Sequence, residues 1–285
     1  MLIKTPHAEI YAYTGGKDFD PNQPTVVFIH GVLNDHSVWV LQSRYLAHHG
    51  YNVLAIDLPG HCKSSGDAPS SVEEAAEHII AMLDALGIER ATIVGHSWGS
   101  LITLEVAHQA PKRLNHAVLV GTAAPMKVSP VLIENSINNP LEALRMINVF
   151  SRASLCAPPS VMGPGTWTFG AGLALGKRVL ASNKEVNLFN RGFVACDRYT
   201  GAEAAAQALT CPTLFILGKQ DQMTPAKAAK GLIGLARQTQ SPVEVVELDV
   251  GHNQMSEDPD GTLQALFGFL KRHPAATPLA QPTSP

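Results

Sequence analysis

The sequence predicts an α/β fold, a mostly parallel sheet covered by helices on both faces. Three observations lead there. Short apolar runs alternate with helical patterns along most of the 285 residues, and the connections between them are short, as when parallel strands are joined by crossover helices. Several runs are continuously apolar, Thr25-Val26-Val27-Phe28-Ile29 above all, as a strand buried on both faces must be. One strand runs straight into a helix through Gly95-His96-Ser97-Trp98-Gly99.

Residues 8–13 and 24–30 read as strands flanking a turn region of Gly, Asp, Pro and Asn. His30-Gly31-Val32-Leu33 follows, then a helical pattern over about 37–48. The apolar run 52–56 closes in Asp57-Leu58-Pro59-Gly60. A helix over 72–86 has Ser70 or Ser71 as N-cap and Gly87 as stop. Strand 91–94, the Gly-x-Ser-x-Gly junction and a helix over 97–109 come next, and 117–120 is another strand. The alternation then breaks, and 124–208 is helical and irregular with no clear strand. It resumes with strand 213–217, a helix near 225–237, strand 243–248 and a helix near 260–272. The expected organisation is a core of 1–124 and 209–273, a helical insertion over 125–208, and a disordered Pro/Ala/Thr-rich tail over 274–285.

Composition excludes several classes of function. Hydrophobic residues make up 45% and charged residues only 16%, against a usual quarter, so a large buried fraction or an apolar cavity is expected. A net charge of −3 without a basic stripe argues against nucleic acid or an anionic membrane as partners. Cys62, Cys156, Cys196 and Cys211 are scattered without a Cys-x-x-Cys pair, which suggests neither a zinc site nor a disulfide framework but reduced thiols in a cytosolic protein. The first residues lack the apolar core of a signal peptide, and no run of about eighteen apolar residues exists. A cytoplasmic location is the expectation.

The Gly95–Gly99 stretch has the form of a nucleophile elbow, a turn so sharp that its central serine is strained and its flanking glycines avoid collision. The five residues alone would arise by chance in about one chain in ten of this length, so their context decides. A serine hydroxyl needs an adjacent base, usually a histidine held by a carboxylate. Among twelve histidines, His252 follows the last strand and so opens on the same rim as Ser97. Asp221 follows the strand 213–217 and lies upstream of His252. Asp249 is nearer in sequence but reads as part of a strand, and Gly121-Thr122-Ala123 holds no carboxylate. The order Ser97, Asp221, His252 is that of one particular fold.

With these motifs in place the chain resembles the α/β-hydrolase-fold enzymes over nearly its whole length. His30-Gly31 resembles the family's oxyanion loop, Asp57-Leu58-Pro59-Gly60-His61-Cys62-Lys63-Ser64 its Asp-x-Pro-Gly-x-Gly-x-Ser segment, and Gly251-His252 through Pro259 its histidine segment. Cys62 departs from it, standing where the family usually has glycine. The resemblance implies a mostly parallel eight-stranded sheet with a helical cap between strands 6 and 7. It implies Ser97 as nucleophile, His252 as general base then acid, and Asp221 as the orienting carboxylate. The oxyanion would be held by the backbone N–H groups of Trp98 and Val32, whose side chains would also wall the acyl pocket. No cofactor or metal is implied, and the partner is a small-molecule substrate.

The implied activity is that of a carboxylesterase-like serine hydrolase acting on a small, mainly apolar ester. C–C bond hydrolysis, lactone or amide cleavage and perhydrolysis use nearly the same residues, and a ligand receptor could keep the fold with little turnover. Dehalogenases and epoxide hydrolases of this fold use an aspartate nucleophile, against which Ser97 argues. His30 is read as a loop-shaping hydrogen-bond residue and His96 as pocket wall or packing, both placed at the substrate pocket, with Met126, Phe150, Trp167 and Phe169 from the insertion lining it. Arg145, Arg152, Arg191 and Arg198 are expected to face solvent, although one of them could read a substrate carboxylate. Gly163 to Gly172, with four glycines and two aromatics, suggests a mobile flap.

Overall fold

The computed structural model describes residues 1–153 and 167–275. Eight strands, β1 (Leu2–Lys4), β2 (Glu9–Tyr13), β3 (Thr25–Ile29), β4 (Asn52–Ile56), β5 (Ala91–His96), β6 (Leu114–Val120), β7 (Thr213–Gly218) and β8 (Val243–Leu248), form one sheet. Its order is β1-β2-β4-β3-β5-β6-β7-β8. β1 and β2 pair antiparallel, β2 runs antiparallel to β4, and every pairing from β4 to β8 is parallel. The three residues of β1 bury only Ile3, too short a segment for a period-two pattern to be read from sequence. The eleven α-helices among the described residues are α1 (Val40–Ala47), α2 (Val72–Ala85), α3 (Trp98–Gln109), α4 (Pro130–Asn138), α5 (Pro140–Phe150), α6 (Thr168–Ser182), α7 (Leu188–Arg198), α8 (Ala202–Gln207), α9 (Lys230–Ala236), α10 (Gln254–Glu257) and α11 (Pro259–Arg272).

Strand periodicity divides the core into two layers. Val27 and Ile29 point into the layer shared with α2 and α3, where Val72, Ile79, Leu101 and Leu104 are buried. Val26 and Phe28 point to the opposite layer, against Trp39, Leu46, Leu266 and Phe269. Burial on both faces is why β3 and β4 have no exposed position. β8 is the edge strand and stays half-exposed, with Glu244 and Glu247 along it, charges that discourage pairing with another chain. α2 starts where Ser71 accepts the Glu74 amide (3.1 Å) while the Glu74 carboxylate takes the Ser70 amide (2.7 Å). It stops before Gly87, whose φ of +64° suits glycine.

Helices α4 to α8 lie between β6 and β7 in chain order, and none of the described residues between those two strands forms a strand. A third apolar cluster joins Leu33 and Ala68 to Leu132, Leu144, Val179, Phe189 and Phe193 of these helices. Polar ties reinforce it: Arg178 on Asp35 (2.6 Å), Asn183 Nδ2 on the Gly60 oxygen (3.1 Å) and Arg191 on the Ala68 oxygen (2.9 Å). The expected flap is partly helix, since 168–172 belong to α6. Gly163, Gly165 and Cys156 lie outside the described residues, as does most of the tail. Cys62, Cys196 and Cys211 are free thiols. Among the described residues no helix is long and apolar enough to cross a membrane.

Candidate active site

Ser97 joins β5 to α3 with φ 53° and ψ −117°, a conformation L-residues rarely adopt. The turn is sharp enough that a Cβ on Gly95 would overlap the Gly99 carbonyl, and one on Gly99 would lie 2.5 Å from the Ile29 oxygen. Both glycines are therefore demanded by close approach. The Ser97 amide continues the sheet by donating to the Val120 oxygen (2.9 Å). Its Oγ makes no hydrogen bond to the described residues, and Ser97 lines two cavities.

His252 follows β8 and Asp221 follows β7, so both reach the rim on which Ser97 stands. Asp221 Oδ2 accepts from His252 Nδ1 at 2.8 Å. The other carboxylate oxygen accepts the amides of Met223 and Thr224, each at 2.8 Å. Burial alone would raise the Asp221 pKa, but the charge and hydrogen bond of His252 and the bonds from Thr224 outweigh it and hold the carboxyl below its usual range. Thr224 Oγ1 lies 2.9 Å from the Gly121 oxygen, 2.8 Å from Asp221 Oδ2 and 3.0 Å from His252 Nδ1. Sequence reasoning missed Thr224, although a residue three after an Asx-turn aspartate is a modest signal for it. The His252 amide donates to the Ser151 oxygen (2.8 Å). Asp249, just beyond β8 rather than within it, accepts instead from Gln220 Nε2 at 2.9 Å.

The loop after β3 begins with His30. Its Nε2 accepts the Leu58 amide (3.2 Å), and Nδ1 is 2.8 Å from the Gly31 oxygen, which makes Nδ1 the protonated nitrogen. These bonds fit a loop-shaping residue, but His30 is fully buried and lines neither cavity, which corrects its placement at the substrate pocket. The amides of Val32 and Trp98 donate to no acceptor among the described residues. Val32 lines both cavities, whereas the Trp98 side chain is buried beside the His61 ring, 6.0 Å between centroids, and walls neither. Leu33, next in the loop, has a φ of 54°. Asp35, His36 and Asp57 form a cluster with metal-type ligand atoms. His36 Nδ1 is bound to Asp57 (2.8 Å) and Asp35 to Arg178, so the cluster ties loops together.

A cavity of about 260 Å³ and a larger one of about 520 Å³ meet at Val32, Ser97, Ile147, Phe193, Met223 and His252. The larger is mainly apolar, lined by Met126, Val128, Leu132, Met146 and Phe150, with Lys127, Ser129 and Gln222 also on its wall. The smaller takes in His96, Asn148, Arg152, Asn253 and Ser256. Met126 and Phe150 thus line a cavity, and so does His96. Trp167 and Phe169 do not: their rings stack at 5.6 Å at the start of α6, and Trp167 is 65% exposed. A pair of aromatics on a helix end can cover each other, which sequence alone does not reveal. Arg152, expected to face solvent, is half-buried in the smaller cavity.

A family model described as the alpha/beta hydrolase fold matches residues 24–157. The crystal structure of the enol-lactonase from Burkholderia xenovorans LB400 superposes with a TM-score of 0.77 at 20% identity, covering 95% of this chain and all of that one. The chain has the α/β-hydrolase fold. Curated relatives include the dihydrolipoyllysine-residue acetyltransferase component of the acetoin cleaving system of Cupriavidus necator, 35% identical over 130 residues, 45% of this chain and 31% of that protein. Bifunctional epoxide hydrolase 2 of Rattus norvegicus is 30% identical over 143 residues, 48% of this chain and 24% of that one. The chain thus spans under a third of the length of these two relatives.

Cys62 departs from the glycine of the segment it resembles. This residue has a φ of 46°, in the region that favours glycine. Here a thiol occupies it, 3.6 Å from Asp35 Oδ2, while the Cys62 amide donates to Ser182 Oγ (3.0 Å). Burial pushes that thiol up to about 12, so it stays protonated at neutral pH.

Proposed function

We propose that the protein is a serine hydrolase that cleaves a small, mainly apolar ester through an acyl-enzyme on Ser97. The observation that carries this reading is the buried Asp221–His252 pair, 2.8 Å apart, beside cavities that both Ser97 and His252 line. Ser97 Oγ attacks the carbonyl as His252 Nε2 takes its proton, and Asp221 holds the imidazole in the required tautomer and stabilises the imidazolium. The amides of Trp98 and Val32, without other acceptors, receive the negative charge that develops on the carbonyl oxygen. His252 then protonates the leaving alcohol, and water releases the acid by the same steps in reverse. The serine–histidine hydrogen bond need not exist before substrate binds, since such bonds often tighten only in the complex.

In this reading α4 to α8 act as a cap over the site, contributing Leu132, Ile147 and Phe193 to its walls, while the two flanking stretches form the catalytic core. The larger, apolar cavity favours esters over substrates with many polar groups. A serine at the elbow speaks for acyl transfer rather than for epoxide opening by a carboxylate. A fluorophosphonate should form a single adduct on Ser97, absent in Ser97→Ala, and a panel of esters of increasing acyl length with a lactone and a diketone should show ester turnover. A folded protein that neither labels nor turns over any ester would instead favour a ligand receptor.

A further inference from the structure

Arg152 is a cation the candidate mechanism does not use. It follows α5 in the turn 151–153, which is fastened to the loop of His252. The Ser151 oxygen accepts the His252 amide (2.8 Å) and Asn253 Nδ2 (3.2 Å), and the Ala153 amide donates to Glu257 (2.7 Å). Packing there is close enough that a Cβ on Gly251 would lie 2.7 Å from the Ala153 nitrogen. The guanidinium reaches across to α6, where a Cβ on Gly172 would lie 3.3 Å from Nη2. Both Arg152 and Gly172 line the smaller cavity with Ser97 and His252.

What sets Arg152 apart is that it has no acceptor among the described residues. Its Nε is buried without a partner, and it forms no hydrogen bond or ion pair within the described residues. The other half-buried arginines are both satisfied, Arg113 by Asp84 and Arg191 by the Ala68 oxygen. No carboxylate lines the smaller cavity, and residues 154–166 contain neither Asp nor Glu. The nearest compensating charge is Glu257, which opposes the effect of burial on the guanidinium but directs its oxygens at the amides of Ala153 and Asn253. A half-buried, unpaired guanidinium is costly unless a ligand supplies the missing anion, and its planar fork matches a carboxylate with two parallel hydrogen bonds. Across Ser97, the larger cavity is mainly apolar, and its one lysine, Lys127, is already paired, with Nζ 2.6 Å from the Asp197 main-chain oxygen and 3.9 Å from its carboxylate.

We propose that Arg152 is a substrate-binding residue that reads a carboxylate, so that the ester cleaved at Ser97 carries an anionic group on one side of its scissile bond and an apolar group on the other. This rests on the serine-hydrolase reading above.

Two matched ester pairs test it. Mono-p-nitrophenyl glutarate against p-nitrophenyl glutaramate puts the charge on the acyl side, and 4-butyryloxybenzoate against 4-butyryloxybenzamide puts it on the alcohol side. In one pair the wild-type protein should favour the acid over the amide by about 30-fold in kcat/KM, as loss of a charge-assisted bidentate pair would imply. Arg152→Gln should bring that ratio to about one, and Arg152→Lys should recover part of it through KM. A wild-type ratio near one in both pairs, or a preference that survives Arg152→Gln, overturns the proposal. Calorimetry on Ser97→Ala with monobutyl glutarate and with 4-butyryloxybenzoate, one for each side of the ester, separates this from failure of the hydrolase reading, because binding needs no turnover. Saturable binding of either one, weakened about tenfold or more by adding Arg152→Gln, supports the site, whereas binding that is absent for both or insensitive to Arg152 refutes it.

Discussion

The ring of His96 donates from Nε2 to the main-chain oxygen of His252 at 2.8 Å, so the residue preceding the candidate nucleophile holds the loop of its candidate base. The two rings lie 4.7 Å apart. Burial lowers the pKa of His96 to about 3, which keeps the ring a neutral donor at physiological pH. Its Nδ1 has no partner among the described residues, and Gly31 approaches so closely that a Cβ there would lie 3.0 Å from it. His96 is a positioning residue in this arrangement. His96→Phe keeps the ring and loses the bond, and kcat on a neutral ester should fall about 10- to 100-fold with KM changing less. His96→Gln, which retains a donor, should recover part of the loss. Wild-type kcat in His96→Phe would reduce the residue to packing.

Thr224 makes a second prediction about positioning. Its hydroxyl lies within hydrogen-bond distance of Asp221, His252 and the Gly121 oxygen at once. Thr224→Val is nearly isosteric and leaves the two backbone amides on Asp221 in place. Steady-state kinetics should show kcat reduced about tenfold, with Thr224→Ser close to wild type, because one fixed hydrogen bond to a charged group is worth about 1.5–3 kcal/mol. Equal kcat in Thr224→Val and wild type would mean that the backbone amides alone orient the carboxylate.

The layered fold and the three candidate catalytic residues were legible because their signals are local. Continuous apolar runs mark strands buried on both faces, and the elbow is written in five consecutive residues, although only Gly95 is required by its near neighbour Gly99 while Gly99 is required by the distant Ile29 oxygen. Asp221 and His252 could be placed on one rim because a loop after a parallel strand must open there. The pocket was harder to read. Whether Trp167 lines a cavity or covers Phe169 depends on how α6 is rotated against helices distant in sequence. His30 disappears beneath its loop because the Leu58 amide, 28 residues later, meets its ring. Arg152 could be recognised as unpaired only once the surrounding acids had been placed in space.

The strained backbone of Ser97 leads to an uncommon expectation for stability. A non-glycine residue at φ 53° and ψ −117° costs about 1–3 kcal/mol, and replacing it by glycine returns part of this against about 0.5–1 kcal/mol of added unfolded-chain entropy. Ser97→Gly should therefore unfold at a temperature about 2–4 °C higher than Ser97→Ala, which keeps its Cβ and its strain. Both should be inactive. Calorimetric scans of the two variants check this, and a lower Tm for Ser97→Gly would show that the turn is not under strain.

Acid should destabilise the protein well before its carboxylates titrate. Burial lowers the pKa of His61 to about 4, of His96 to about 3 and of His116 to about 4. Their rings are fixed as neutral partners: His116 lies 2.7 Å from Thr92 Oγ1 and 2.6 Å from the His273 oxygen, and His61 Nδ1 is 2.9 Å from the Pro59 oxygen. The unfolded chain protonates each near pH 6.5. Between about pH 6.5 and 4 the unfolded state thus binds protons that the folded state does not, so stability rises with pH across this window and is lost as pH falls through it. Near pH 5 the slope should approach about 4 kcal/mol per pH unit, three protons at about 1.4 kcal/mol each. Asp35, held down to about 2 by the bonds from Ser37 and Arg178 against the opposing effect of burial, extends the loss below pH 4. Urea unfolding at pH 7, 6 and 5 measures the slope directly, and His116→Gln should remove about one proton's share of it. A midpoint unchanged between pH 7 and 5 would mean that these rings take up protons without unfolding the chain.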